Sequence, residues 1–289
     1  MALDPDKITL CWPNRVQELT LSGGSYLESR PLTLVQDRRL AVTCKTTNAD
    51  NESTWFDALF PTARPISVIA IAAHNFSVTA QYRFRSYTDD EQTILLWDSG
   101  VQDVWPALYT PDQLEWEYDN FWSGTLTEND RDQYTALLTS FPEDVQITKS
   151  MRIEIFDSGN PAGSVQFGRV FVGDAWQPTY NAKYGIQHGL NNATEVEESY
   201  ERTDYFDIRP QRRTVSLSLE HMNVSEAFQR IFGMHRTEGI QGEIIYAFSL
   251  RNQPESFVRT FLARQLQINP LTQPYYSSHS ADINLLEIV

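Results

Sequence analysis

The chain has 289 residues, of which 41% are hydrophobic and 12% aromatic, and a formal net charge of −15. Its length fits one large or two ordinary domains, and its aromatic content is too high for a disordered chain. The acidity disfavours any role that neutralises phosphates or coats an anionic membrane. Cys11 and Cys44 are the only cysteines, too few for a disulfide-built scaffold, and are expected as free thiols. The start MALDPDKITLCW has no basic region followed by an apolar stretch, and no run reaches ~18 apolar residues, so an aqueous compartment is expected.

In chain order, Lys7 to Trp12, Gln17 to Ser22 and Leu40 to Lys45 are expected as short strands. Pro65-Ile-Ser-Val-Ile-Ala-Ile-Ala is a continuous apolar run ending at His74-Asn75, the pattern of a strand buried on both faces in the middle of a sheet. From Ser77 to Arg85 the residues alternate, with Val78, Ala80, Tyr82 and Phe84 on one side. The stretch from Trp97 to Trp122 is loop-like and aromatic, broken by Pro106 and Pro111. A short helix is expected over Glu128 to Ser140, capped by Asn129 or Asp130, with Tyr134, Leu137 and Leu138 on one face. Ser150 to Asp157 and Val165 to Gly173 then look like the two strands of a hairpin around an Asp157-Ser-Gly-Asn-Pro turn.

After Asp174-Ala-Trp-Gln-Pro the composition turns polar, so a domain boundary is expected near residue 178. This divides the chain into residues 1–177, a linker or extended loop over 178–204, and a second domain over 205–289. Arg213 to Glu220 alternates with Val215, Leu217 and Leu219 on one face, a clear strand. It leads into a helix at about 224–235, where Asn223 and Glu226 have the spacing of a capping box and Ala227, Phe228, Ile231 and Phe232 form an apolar stripe. Gly242 to Ser249, Phe257 to Ile268 and Ser280 to Val289 supply three further strands. The fold class is therefore mainly β.

Catalytic spacing is missing. There is no G-x-S-x-G elbow, neither cysteine has a catalytic context, and Gly23-Gly24 lacks the Lys and strand-to-helix setting of a phosphate loop. His74, His188, His221, His235 and His279 are scattered without zinc spacing. Asp50-Asn-Glu-Ser and Asp89-Asp90-Glu91 resemble solvated turns more than a calcium site. No enzyme activity, metal or cofactor is expected.

The one stretch with the makings of a ligand surface is Trp116-Glu-Tyr-Asp-Asn-Phe-Trp122. Trp116, Tyr118 and Trp122 offer stacking faces beside acids and amides, as sugar recognition requires. In the other reading, alternate residues Trp116, Tyr118, Asn120 and Trp122 turn into a sandwich core.

Met151-Arg-Ile-Glu-Ile-Phe-Asp-Ser-Gly-Asn-Pro and Gln166-Phe-Gly-Arg-Val-Phe-Val-Gly-Asp-Ala-Trp-Gln-Pro together resemble the closing hairpin of a galactose-binding-like β-sandwich, and Ile66 to Ser77 resembles its central strand and turn. The resemblance covers roughly residues 1 to 175 and implies a jelly-roll sandwich. The order that follows, Arg-Arg-x-x-x-Leu-x-Leu, a helix, Gly-Glu-Ile-Ile and a terminal strand, resembles tail-tip proteins of long-tailed bacteriophages. It implies a tail-tube-like β-barrel or sandwich with one flanking helix, in a distal tail or minor tail protein of the virion, synthesised in the host bacterial cytoplasm. Such a protein is expected to form a homo-oligomeric ring of three- or six-fold symmetry and to bind the tail tube and hub proteins. DNA would pass through the lumen unheld, and no membrane insertion is implied. Candidate assembly strands carry Val215, Leu217 and Leu219 and, at the C-terminus, Ile283 and Leu285. The alternative is a carbohydrate-binding module contacting host surface glycans.

Overall fold

The computed structural model describes residues 2–118 and 120–289, with Pro111 lacking a described side chain. The chain divides into two compact units: Met1–Trp176 with Tyr246–Phe261, and Gln177–Ile245 with Leu262–Val289. The first division falls after Trp176. The segment Tyr246–Phe261, expected in the second domain, belongs to the first unit.

The first unit is a β-sandwich. Its strands are β1 (Thr9–Cys11), β2 (Thr20–Ser22), β3 (Cys44–Lys45), β4 (Trp55–Ile66), β5 (Val68–Ala72), β6 (Gln81–Tyr87), β7 (Leu95–Asp98), β8 (Gln102–Asp103), β9 (Leu137–Ser140), β10 (Gln146–Phe156), β11 (Gln166–Phe167), β12 (Arg169–Gly173) and β13 (Ala175–Trp176). One sheet runs β2-β4-β10-β6-β7, with β8 also paired to β6, and the other runs β12-β5-β9. Alternation decides which side chains meet between them. Phe56, Ala58 and Phe60 of β4, Met151, Ile153 and Ile155 of β10 and Phe84 of β6 share one core with Ile69 and Ile71 of β5, Val170 and Val172 of β12 and Leu138 of β9. Each large apolar side chain buried there contributes about 1.5–3 kcal/mol. The strand expected in the middle of a sheet, β5, is central and buried throughout.

The outer face of the larger sheet is ionic. Arg152 binds Asp57 through two hydrogen bonds of 2.7 Å and lies 4.4 Å over the Trp55 ring, and Arg85 meets Glu154 at 2.6 Å. Arg152 and Asp57 are directly opposite on neighbouring strands, and Arg85 reaches Glu154 diagonally, two residues along, so the ion pairs favour this register on the wet side.

Three local expectations change. The strands of 150–157 and 165–173 do not pair with each other: β10 lies between β4 and β6, whereas β12 pairs β5 in the other sheet. The turn between them crosses the sandwich, and Asp157 braces it by accepting from Ser77 N at 3.0 Å and Asn160 Nδ2 at 2.7 Å. The helix expected over Glu128 to Ser140 is only α1 (Glu128–Asp132), capped by Thr127 Oγ1, which accepts from Asp130 N at 3.1 Å. Leu137 and Leu138 join β9 instead, because β5 offers a free edge for pairing. Phe257 likewise precedes its strand, sitting in the short helix Pro254–Val258.

The second unit contains β14 (Gln187–Asn191), β15 (Glu195–Glu198), β16 (Asp204–Asp207), β17 (Arg212–Met222), β20 (Thr272–Tyr275) and β21 (Ser278–Glu287), while β18 (Ile244–Ala247) and β19 (Thr260–Gln267) carry the chain out of it and back. The region expected as a linker thus holds two strands. β14 pairs β17 from Gln187↔Ser216 to Asn191↔Arg212, and β15 pairs β16, so residues 187–216 form one long hairpin. Nonlocal pairing, invisible in a polar sequence, builds it.

Val215, Leu217 and Leu219 are buried, as are Ile283 and Leu285. Their strands pair with each other, Leu217 opposite Ile283, and each has a second partner, β14 for β17 and β19 for β21. Neither is a free edge, which corrects the placement of assembly strands there: side chains that alternate so cleanly are sealed in their own sheet.

The expected helix begins with a π-helical stretch, Glu226–Phe232, and continues as α2 (Gly233–Glu238). The capping box is present: Glu226 N donates to Asn223 Oδ1 at 2.8 Å, and Asn223 N to Glu226 Oε2 at 3.3 Å. The apolar stripe splits, however. Ala227, Ile231 and Met234 are buried, whereas Phe228 and Phe232 are about half exposed, because the wider π winding rotates them off the face that ordinary helical spacing assigns.

Candidate ligand-contact surface

Between Pro106 and Thr125 the first unit extends a loop whose base is clamped. Leu108 N and Tyr109 N both donate to Gly124 O, at 2.8 and 2.9 Å. Gly124 has φ +66°, and a Cβ there would lie 2.6 Å from Tyr109 O, so the clamp requires glycine. Asn120, which is buried, staples the loop by donating from Nδ2 to Thr125 O at 2.7 Å, while Gly124 N donates to Asn120 O at 2.8 Å.

With its polar centre turned inwards, the loop turns its aromatics out. Trp116, Tyr118 and Trp122 are 73%, 55% and 85% exposed. The core reading of these residues is therefore corrected, and of the four alternate positions only Asn120 is buried. Strand alternation does not apply, because 116–118 and 120–122 are turns and bends, whose side-chain directions follow no two-residue period. Trp122 meets Phe121 edge-on, centroids 5.1 Å apart, and the exposed carboxylates Glu115 and Glu117 flank Trp116. Asp119, in the same motif, lies outside the described residues. Large exposed rings beside acids on a braced loop make a candidate contact surface.

Trp105, by contrast, is buried. Its Nε1 donates to Phe76 O at 3.2 Å, its ring meets Phe257 at 5.6 Å, and the Arg131 guanidinium lies 5.4 Å above it. Half-buried His74 stacks on Phe76 at 4.1 Å and stands 5.7 Å from Trp105, and burial among these rings pushes its imidazole down to about 3. It is neutral at physiological pH and placed as an aromatic packing partner.

The remaining candidate groups hold structural positions. Burial raises the Cys11 thiol well above its ordinary range, helped by Asp174, and pushes Cys44 up to about 12, so neither is a thiolate near neutrality. Both cysteines are free. Asp89 accepts from Thr93 N, Thr93 Oγ1 and Ile94 N at 2.7–2.9 Å, and Asp50 accepts from Asn48 Nδ2 at 2.8 Å. These acids cap turns. Among the described residues no group of three or more His, Cys, Asp or Glu is arranged to hold a metal, and no helix is long and apolar enough to cross a membrane.

No protein-family model matches the chain, and no curated protein matches it. Solved structures similar to it include a family 32 carbohydrate-binding module of NanJ from C. perfringens in complex with galactose, at 16% identity and TM-score 0.37, with 57% of this chain and 99% of that one covered. Another is the lectin-binding domain of lectinolysin complexed with Lewis b, at 11% identity and TM-score 0.36, with 56% and 96% covered. A family 89 glycoside hydrolase from C. perfringens is similar at 12% identity and TM-score 0.36 over 55% of this chain, a match that spans 14% of the hydrolase.

Proposed function

We propose that the chain is a non-catalytic binding and assembly protein whose sandwich unit holds carbohydrate on the 116–122 loop. The observation that carries this is the exposure of Trp116, Tyr118 and Trp122 on a loop whose base and polar centre are fixed. Exposed aromatic clusters of this kind mark contact sites. Indole and phenol rings stack on the C–H faces of a sugar, while neighbouring Glu115 and Glu117 accept from its hydroxyls. The test is a glycan panel titrated against the full chain and a Trp116→Ala/Trp122→Ala variant. Saturable binding lost in the variant, with unchanged thermal unfolding, supports the proposal, and a panel that yields no ligand sinks it.

A second reading, a ring-forming protein at a bacteriophage tail tip, concerns the other unit. It is favoured by the hairpin of β15 and β16, on which Val196, Tyr205 and Phe206 are exposed and Ile208 follows, also exposed. A hairpin with apolar side chains in water is suited to burial against another protein copy. The two readings are compatible, with carbohydrate contact by one unit and ring assembly by the other. Sedimentation of the full chain tests the second. A discrete oligomer that a Val196→Asp/Phe206→Asp variant reduces to monomer is expected, and a strictly monomeric wild type speaks against it.

A further inference from the structure

Beside the aromatic loop, the first unit contains a cleft of ≈ 240 Å³ with Trp105, Leu108, Leu126 and Phe257 among its lining residues and Asp103, Asn252 and Gln253 at its polar edge. We infer that this cleft takes a single neutral pyranose ring, the end unit of the glycan whose continuation lies across Trp116 and Trp122. The inference rests on the carbohydrate-binding reading of the loop.

Position is the first reason. Leu108, in the cleft wall, donates from N to the carbonyl of Gly124, two residues from Trp122. The loop therefore rises from the edge of the cleft, and a chain bound on one continues towards the other. Size is the second. Sites that engulf a drug-sized ligand run from about 300 to 1,000 Å³, so this cleft suits one ring and not an oligomer.

Chemistry narrows the ligand further. The lining is aromatic and rigid, since Phe257 is held edge-on by Trp105 at 5.6 Å and by Tyr134 at 6.1 Å. Asp103 accepts from Gln81 Nε2 at 2.8 Å through Oδ1, which leaves Oδ2 for a ligand hydroxyl. The carboxamides of Asn252 and Gln253 are exposed and have no hydrogen-bond partner among the described residues. Their wall is anchored: Arg251 binds Asp6 through two hydrogen bonds of 2.5 and 2.6 Å, Leu250 N donates to Pro5 O at 3.0 Å, and Ser256 Oγ donates to Arg251 O at 2.7 Å. An apolar floor with amides and one carboxylate above it matches a sugar ring, whose C–H face is apolar and whose rim is hydroxyl. Arg251 is neutralised by Asp6, so the carboxylate of Asp103 is the rim's uncompensated charge, and it repels acidic sugars.

The test uses the full chain, neutral methyl hexosides and the oligosaccharides bound in the glycan panel. Its direct readout is the indole N–H NMR signal of Trp105. Methyl hexosides are expected to shift this signal saturably in wild type and in the Trp116→Ala/Trp122→Ala variant, and not in an Asn252→Ala/Gln253→Ala variant. The last variant, altered only at exposed side chains, is expected to bind oligosaccharide at least roughly tenfold more weakly. If oligosaccharides bind through Trp116 and Trp122 while the Asn252→Ala/Gln253→Ala variant binds normally and Trp105 stays still, the cleft is overturned and the loop survives. If hexosides move Trp105 but the loop variant binds every glycan as wild type does, the cleft stands and the loop reading falls. Absence of any sugar response overturns both.

Discussion

In the second unit the Arg213 guanidinium meets the Glu287 carboxylate at 2.5 Å, with only 4% and 2% of the two side chains exposed. Arg213 N also donates to Glu287 Oε2 at 2.8 Å, so one carboxylate fastens both the backbone and the side chain of β17 to the end of β21. The strongest stability prediction comes from this pair. Arg213→Met or Glu287→Leu alone leaves a buried charge uncompensated and is expected to cost about 3–5 kcal/mol, whereas the double variant recovers much of that loss. Urea unfolding of the three variants measures it, and equal losses in single and double variants would contradict a buried pair.

Trp116→Ala and Trp122→Ala remove exposed side chains. Each is expected to change stability by less than about 0.5 kcal/mol while weakening glycan binding at least roughly tenfold, about 1.4 kcal/mol. Calorimetric unfolding beside titration calorimetry separates the two effects, and a large drop in melting temperature would show the rings to be packed.

Gly124→Ala acts on the same site indirectly. A side chain at φ +66° pointing 2.6 Å from Tyr109 O opens the loop base, at an expected cost of about 1–3 kcal/mol. Glycan affinity is expected to fall although no ring is removed. Unchanged affinity would mean that the clamp does not position Trp116 and Trp122.

Acid sensitivity follows from His74. Its folded-state value of about 3 lies below the ordinary 6.5, so between these values the unfolded chain binds more protons and stability declines as pH falls. The contribution is complete above pH 6.5 and is lost progressively towards pH 3. His74→Gln is expected to flatten that part of the stability–pH curve, measured as the difference from wild type. Parallel curves would show that His74 does not titrate differently on folding.

Asn223→Ala removes one half of the capping box. Loss of the acceptor for Glu226 N is expected to destabilise the second unit by about 1 kcal/mol, read from the unfolding midpoint. Glu226 retains its contacts to Thr179 N and Oγ1, both 2.8 Å, which limits the loss.

Local rules carried far along this chain. The apolar run of β5 indicated a central strand, the alternation of β17 indicated which of its side chains are buried, and the Asn223–Glu226 spacing indicated how the helix starts. Each signal is contained within a dozen residues. At Trp116 to Trp122, read as loop-like, the rules left two readings open, and the one that turned alternate residues into the core fails for all but Asn120. They failed at Phe228 and Phe232, where a wider helical winding moved the rings outwards.

By itself, the sequence indicated a mainly β chain, a change of composition near residue 178, two cysteines expected as free thiols and an aromatic segment unlike the rest, because composition and short-range periodicity follow directly from backbone geometry. Tertiary structure alone decided that β10 and β12 lie in different sheets, that residues 187–216 form a hairpin, and that Tyr246–Phe261 returns to wall the cleft beside Trp105. Those arrangements depend on pairings between residues far apart in the chain. Which distant edge a strand accepts is decided by the free energy of the whole packed unit, and no local pattern records it.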